Sequence, residues 1–391
     1  MKAAFVVQRY GLEINGGAEL HCRWIAEHMC KYWEVEVLTT QALDYITWRN
    51  HYPRRQERLN GVLVRRFPVT RTRDPERFGK LQNLVLDQEH TFEDELKWLE
   101  AEGPCSPALI AYIQQNQGSY DYLFFFSYRY YHSYWGIVSV PQKSILVPTA
   151  EHDDIIHLYL FKELFRKPRG FVYNSEEERQ MIQTLTSNRD IPGEVVGVGT
   201  EIPGSYRADD FRQKYGIQGD YLLYIGRIDK NKGCDELFKF FLRFKRDTGS
   251  PAKLILIGSS IIKIPLHPDI VYLGFLSEEE KFAALSGAQL LFMPSFYESL
   301  SMVTLEAWAL GRPVLANARC AVLKGQCLRS QAGLYYADYP QFSRALQLLL
   351  ADAELRQKMG EHGRRYFQER YTWDKIERKY MDLVRGLNKE S

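Results

Sequence analysis

Two glutamates eight residues apart, Glu298 and Glu306, bracket the segment Ser299-Leu300-Ser301-Met302-Val303-Thr304-Leu305, which lies between an apolar run and Gly311-Arg312-Pro313-Val314. On a continuous helix, eight steps of about 100° leave two side chains roughly 80° apart, so one face would serve both poorly. The spacing therefore puts Glu298 in a turn and Glu306 inside the helix that follows. A carboxylate at the mouth of a turn can accept bonds from sugar hydroxyls, and one buried a turn or two along can take the paired hydroxyls of a ribose. Upstream, the run ending Tyr224-Ile225-Gly226 delivers Arg227 and, just before Gly233, Lys232. A guanidinium fork and a mobile ammonium at a strand's carboxyl end, beside a helix start, suit a diphosphate. Each of these residues alone is equally a solvated surface charge. Their order along the chain favours a sugar-nucleotide site.

Three further groups could contribute. Gly16-Gly17 follows the first apolar run and opens a helical pattern, where paired glycines let backbone approach a ligand and aim N–H groups at negative charge. This is not G-x-G-x-x-G, and no acidic residue follows at the dinucleotide spacing, which argues against a nicotinamide cofactor. Glu151-His152-Asp153-Asp154 follows the run ending Val147-Pro148, so His152 and Asp153 are candidates to hold a sugar, against a purely structural role for the histidine. Asn174-Ser175-Glu176 is adequately explained as a helix cap with an acidic first turn. No D-x-D sequence is present, and two cations with helix N–H groups can neutralise a departing pyrophosphate without a metal.

The elements that must position these residues are visible as short apolar runs: 3–8, 35–40, 62–69, 122–127, 145–147 and 171–174 in the first half. In the second half they are 221–226, 253–258, 270–273, 290–293 and 313–316. Runs of this kind read as buried parallel strands, and the amphipathic stretches between them as crossover helices. The expected fold is α/β, with two doubly wound units facing across a cleft and a hinge near 197–211. The first domain is expected over 1–200, with a C-terminal helix over 372–391 packing back on it, and the second over 201–371. With 391 residues, 45% hydrophobic, the chain can bury two cores. A net charge of +2 gives no argument for a nucleic-acid partner. A basic stretch from Arg49 to Lys80 is either solvated surface or a contact for anionic headgroups. The six cysteines form no C-x-x-C pair and fit reduced cytoplasmic thiols. The start reads as neither a secretory nor a spanning segment, so membrane contact would be peripheral, at the inner face.

Taken together, Gly16-Gly17, His152-Asp153, Asn174-Ser175-Glu176, Gly226-Arg227 with Lys232-Gly233, Gly258, Gly274, the Glu298 to Glu306 element and Gly311-Arg312-Pro313-Val314 resemble the retaining GT-B glycosyltransferases of family four. The resemblance implies two Rossmann-like domains and a nucleotide-diphosphate-sugar donor. It implies a saccharide or lipid-linked acceptor and transfer without a metal or other cofactor, in polysaccharide or glycoconjugate biosynthesis. By resemblance, His152, Arg227, Lys232 and Glu298 would be catalytic. Gly16, Gly17, Asp153, Gly226, Gly258, Ser299, Leu300, Ser301 and Glu306 would join Arg227, Lys232 and Glu298 around the donor. Two departures stand out: Ser299-Leu300-Ser301 where many relatives have Gly-Phe-Gly, and Val198-Gly199-Thr200-Glu201 where they often have Asn-Gly-Val-Asp. Competing readings are a sugar-nucleotide epimerase or phosphorylase of the same fold, and a non-catalytic nucleotide-sugar-binding protein.

Overall fold

A computed structural model describes residues 1–389. The chain forms two compact units, Met1–Val198 with the C-terminal stretch from Ile376, and Gly199–Lys375. The divisions thus fall at 198/199 and inside the last helix at 375/376, not at 200/201 and 371/372. Glu390 and Ser391, included in the expected C-terminal helix, lie outside the described residues.

The first unit is built on eight strands: β1 (Lys2–Val6), β2 (Glu34–Thr40), β3 (Gln56–Leu59), β4 (Val62–Phe67), β5 (Tyr122–Phe126), β6 (Ser144–Val147), β7 (Gly170–Tyr173) and β8 (Gly193–Val195). They lie in the order β3-β4-β2-β1-β5-β6-β7-β8. All neighbours are parallel except β3 against β4. Helices cover both faces, which is why every residue of β5, Tyr-Leu-Phe-Phe-Phe, is buried rather than every second one. The helix Trp373–Lys389 buries Ile376, Tyr380, Val384 and Leu387 at near-four-residue spacing, a single apolar stripe. Within the first unit Tyr380 lies 5.8 Å from Phe124, and Tyr122 donates to Asn388 at 2.7 Å.

The second unit has β9 (Tyr221–Ile225), β10 (Lys253–Ile257), β11 (Ile270–Tyr272), β12 (Leu290–Met293), β13 (Val314–Asn317) and β14 (Gly333–Tyr336). They form one sheet, all parallel, in the order β11-β10-β9-β12-β13-β14. Strand order reverses between β9 and β12, and between β1 and β5 in the first unit. At such a switch point the connections leave to opposite faces, so a crevice opens beyond the strands' carboxyl ends.

Three strands escape the apolar-run reading. β3 is polar and half exposed because it is an edge strand, β8 has three residues, and β14 has a single fully buried residue, Tyr336. The basic stretch is also more internal than a surface reading implies. Arg66 is 2% exposed, paired with Glu57 and donating to the Tyr10 carbonyl at 2.8 Å. Arg65 pairs with Glu36 at 2.9 Å and Arg73 with Glu102 at 2.8 Å. Arg49, Arg54, Arg55, Arg58, Arg71, Arg77 and Lys80 remain on the surface. All six cysteines are free thiols.

Candidate functional site

The second unit's switch point gathers most of the expected donor-side residues. β9 ends at Ile225, and Gly226 follows with φ +149°. The turn then runs to Gly233, the N-cap of the helix Cys234–Thr248. Gly233 has φ +68°, and a Cβ there would lie 2.1 Å from the Pro294 carbonyl oxygen. Only glycine lets this turn sit against the segment leaving β12. Gly258, at the end of β10, is required for a similar reason: with φ +130°, its Cβ would lie 2.0 Å from the Gly226 carbonyl oxygen. The expected ligand-facing glycine at 258 is thus explained by the packing of two neighbouring strand ends.

That close approach brings the loop cations to the carboxylates. Lys232 Nζ lies 2.7 Å from Glu298 Oε1, with the two side chains 27% and 11% exposed. Arg227 pairs with Asp229, whose other oxygen accepts the Lys232 backbone N–H at 2.7 Å. The expected pair of cations is therefore balanced by two carboxylates. Asp229, 3% exposed, is a partner that the sequence alone did not single out.

Glu298 precedes the helix Met302–Ala309 and Glu306 lies within it, as the eight-residue spacing predicts. Ser301 is that helix's N-cap and is 3% exposed. Its Oγ accepts from the Thr304 N–H at 3.2 Å and from Thr304 Oγ1 at 2.9 Å. Ser301, placed around the donor by resemblance, here closes a helix start, the ordinary use of serine there. Leu300 is buried and Ser299 half-buried.

Glu306 is the most unusual group of the unit. It is 2% exposed, its Oε1 accepts from Lys281 Nζ at 2.9 Å, and its Oε2 is buried without a hydrogen bond of good geometry, the buried Thr200 hydroxyl being a neighbouring donor to the carboxylate. Burial raises its pKa above the ordinary carboxylate value while Lys281 draws it back down. Buried polar atoms are nearly always satisfied, so a carboxylate oxygen without a well-formed bond marks a place for a donor such as a hydroxyl. Ser295 Oγ, just past β12, is a buried hydroxyl without a partner at the same edge. Lys281 hides in Glu278-Glu279-Glu280-Lys281, which reads as an acidic first turn behind the Ser277 cap.

In the first unit, Gly16 caps the helix Gly17–Met29 without a side-chain bond. Beside it Arg9, 8% exposed, donates from Nε to Glu19 at 2.8 Å. His152 is exposed, its ring edge-on to His157 at 5.9 Å. Asp153 has a local task. It caps the short helix Asp154–His157, accepts from Tyr128 at 3.4 Å and pairs with Arg129 at 3.3 Å. Arg129 in turn meets Glu102 at 2.8 Å. Ser175 caps the helix Glu176–Thr186. Glu178, buried, accepts from the Asn174 N–H at 2.6 Å and from the Ala150 N–H. Tyr128 and Tyr134 are buried packing residues. Among the described residues no cluster of three His, Cys, Asp or Glu side chains could hold a metal ion, and no helix is long and apolar enough to cross a membrane.

Two parallel-sheet, Rossmann-like units with these strand orders define the GT-B type of fold. A full-length structural likeness agrees: sucrose-phosphate synthase from Thermosynechococcus elongatus matches with a TM-score of 0.73 at 17% identity, covering 100% of both chains. Anabaena HepE, solved in complex with UDP, matches with 0.70 at 14% identity, covering 99% of this chain and 100% of that one. Residues 208–366 match the family described as glycosyl transferases group 1. The matched stretch lies wholly within the second unit, which carries the domain of that family. An uncharacterized glycosyltransferase of Methanocaldococcus jannaschii is 22% identical over 190 residues, 45% of this chain and 48% of the relative. The chain thus spans about half the length of the curated relatives it matches.

Proposed function

We propose that the protein is a hexosyltransferase that moves a sugar from a nucleotide-diphosphate donor to a saccharide or lipid-linked acceptor, in polysaccharide or glycoconjugate assembly. The observation that carries this reading is Glu306: a buried carboxylate held by Lys281, with one oxygen lacking a well-formed bond, at the carboxyl edge of a Rossmann-like sheet. Ribose supplies paired hydroxyls that such an oxygen accepts. Arg227 and Lys232 meet the diphosphate, and Glu298, released from Lys232 or shared with it, accepts sugar hydroxyls. Gly226 opens the turn that carries Arg227 and Lys232, and Ser299 and Leu300 follow Glu298 in the turn before the helix Met302–Ala309. UDP bound to Anabaena HepE, a protein of the same fold, supports a nucleotide ligand here.

In this proposal acceptor recognition falls to the first unit. The same unit also carries the residues expected to serve the donor: Gly16 and Gly17, an uncapped helix start suited to its negative charge, and His152, an exposed ring suited to the transferred sugar. Transfer proceeds with retention by front-side displacement. The bond from the anomeric carbon to the phosphate oxygen breaks, that oxygen takes the acceptor hydroxyl's proton, and the acceptor oxygen bonds to the same face. The nucleoside diphosphate leaves. Arg227 and Lys232 stabilise the charge that grows on the leaving group, so no metal is required. The protein acts at the cytoplasmic face of the membrane, where Arg49, Arg54, Arg55 and Arg58 give exposed positive charge for peripheral contact.

The test is turnover of UDP-, GDP- and ADP-sugars by the full chain. Arg227→Ala and Glu306→Ala should abolish it with the fold retained, activity should survive a chelator, and the product's proton coupling constants should report retained configuration. Near-normal turnover by both variants would remove the assignment, and inverted product would remove the front-side mechanism. Release of free nucleotide only when an acceptor is present favours transfer over an epimerase or phosphorylase.

A further inference from the structure

Gly311-Arg312-Pro313 lies at the other edge of the second unit's sheet, before β13 begins at Val314. A cavity of about 360 Å³ opens there, lined by Arg312, Arg356, Arg364, Gln289, Gln357 and Glu361, among others. We propose that this cavity is a binding site for a phosphate-bearing anion of small-molecule size, separate from the donor site. Four-residue β13 alone spans about 13 Å between the two edges.

The cavity is shaped by a close backbone approach. Gly311 has φ +68°, and a Cβ at Gly360 would lie 2.1 Å from the Gly311 carbonyl oxygen. The helix Ala353–Arg370 is thereby seated directly on the turn. Arg356, Gly360 and Arg364 follow one another at four-residue spacing along this helix, and all three line the cavity. The glycine in the middle lets the helix touch the turn, and the two arginines flank Arg312.

Charge makes the case. Arg312 donates to the Ala288 carbonyl at 3.3 Å, Arg364 to Leu310 at 3.4 Å, and Arg356 to the Leu349 and Leu350 carbonyls. Arg212, close by, donates to the Gly219 and Gly287 carbonyls. Among the described residues, none of the four is in an ion pair with a carboxylate, although Arg312, Arg356 and Arg212 are half-buried and only Arg364 is exposed; the buried Arg9 and Arg66 and the half-buried Arg73 each have one. Arg312 Nε is buried with no partner. Burial and the neighbouring Arg364, Arg212 and Arg356 all lower the Arg312 pKa, the signature of uncompensated positive charge. Arginine forks held apart from carboxylates match phosphate oxygens bidentately. The volume falls in the range of small-molecule pockets. Glu361, bonded to Gln357 at 3.0 Å, is the carboxylate of the lining.

The test is titration calorimetry of the full chain with inorganic pyrophosphate, comparing wild type, Arg364→Gln and Glu361→Gln. Arg364 contacts a single carbonyl and Glu361 is exposed, so both variants should fold, as circular dichroism would check. Arg364→Gln should weaken pyrophosphate about tenfold, and Glu361→Gln should tighten it, while donor-nucleotide affinity stays unchanged in both. Sedimentation with phosphatidylglycerol vesicles separates the sources. Arg364-dependent pyrophosphate binding identifies a soluble phosphate compound, and Arg364-dependent vesicle binding alone identifies a lipid headgroup. Binding that is indifferent to Arg364 in both arms overturns the proposal, whatever the fate of the donor site.

Discussion

Replacing Lys281 with methionine isolates the pair on which the donor-side reading rests. The substitution keeps most of the side chain's volume but removes the ammonium 2.9 Å from Glu306 Oε1. Breaking a buried pair from one side costs about 3–5 kcal/mol, because the remaining charge is stranded. Glu306 is 2% exposed, so it cannot turn to water. It can take up a proton instead, since burial already holds its pKa above the ordinary value, and this limits the loss to about 3 kcal/mol at neutral pH. The reverse variant, Glu306→Gln, should cost less. Lys281 would keep Glu278 at 2.7 Å, a partner 60% exposed and well hydrated. For a unit of this size about 3 kcal/mol moves the melting temperature by roughly 6–12 °C. The assay is scanning calorimetry of the full chain across pH. A carboxyl whose folded pKa is raised contributes stability that is complete below its unfolded pKa and lost as pH rises through the folded value. The Lys281→Met deficit should therefore be small in acid and grow as pH rises. A deficit below about 1 kcal/mol at neutral pH, a deficit that shrinks with rising pH, or Glu306→Gln proving the less stable of the two would each refute the reasoning.

Glu306→Gln should also weaken nucleoside-diphosphate binding by roughly 10- to 150-fold, the worth of one charge-assisted hydrogen bond, measured by calorimetry at a pH where the variant is fully folded. Gly233→Ala places a methyl group 2.1 Å from the Pro294 carbonyl oxygen at φ +68°. It should cost about 2–4 kcal/mol in urea unfolding and part Lys232 from Glu298, so that nucleotide affinity falls with stability. An alanine variant of wild-type stability would show that the turn is not fixed by this contact. Burial pushes the Glu178 pKa up to about 8 against its two backbone N–H bonds. Its stabilising contribution is therefore complete below the unfolded carboxylate value and lost as pH rises toward 8, and Glu178→Gln should flatten that stretch of the melting profile. Parallel profiles for the two proteins would mean that the N–H bonds hold Glu178 ionised. Glu36 behaves oppositely: burial is outweighed by Arg65, Tyr120 and Lys2, and its pKa falls to about 2. It contributes stability above the ordinary carboxylate range that is lost in acid as pH falls through that value, a loss that Glu36→Gln should remove from an acid titration.

Sequence legibility follows from where each element's partners lie. Central strands such as β5 announce themselves because covering both faces demands an unbroken apolar run, and the turn-then-helix placement of Glu298 and Glu306 follows from helical pitch alone. Edge strands have no such demand. β3, Gln-Glu-Arg-Leu, is polar because one side faces water, so it reads as part of a basic loop. Buried charges are hidden for a related reason. In Glu176-Glu177-Glu178 the third residue is the buried one, and the visible clue is Ser175 three positions before it, the S-x-x-E pattern of a capping box. Here Glu178 reaches the Asn174 and Ala150 N–H groups, and Ala150 comes from a loop 28 residues away. Lys281 gives no local clue at all, since its pairing with Glu306 across 25 residues arises only when two helices meet the same sheet. The same holds for Arg312, Arg356 and Arg364, which are ordinary helix and turn cations in sequence. Spacing tells which carboxylates a fold can present to a ligand; which cations it leaves without a counter-charge is decided by tertiary packing, and that is where ligand sites away from the donor turns are to be sought.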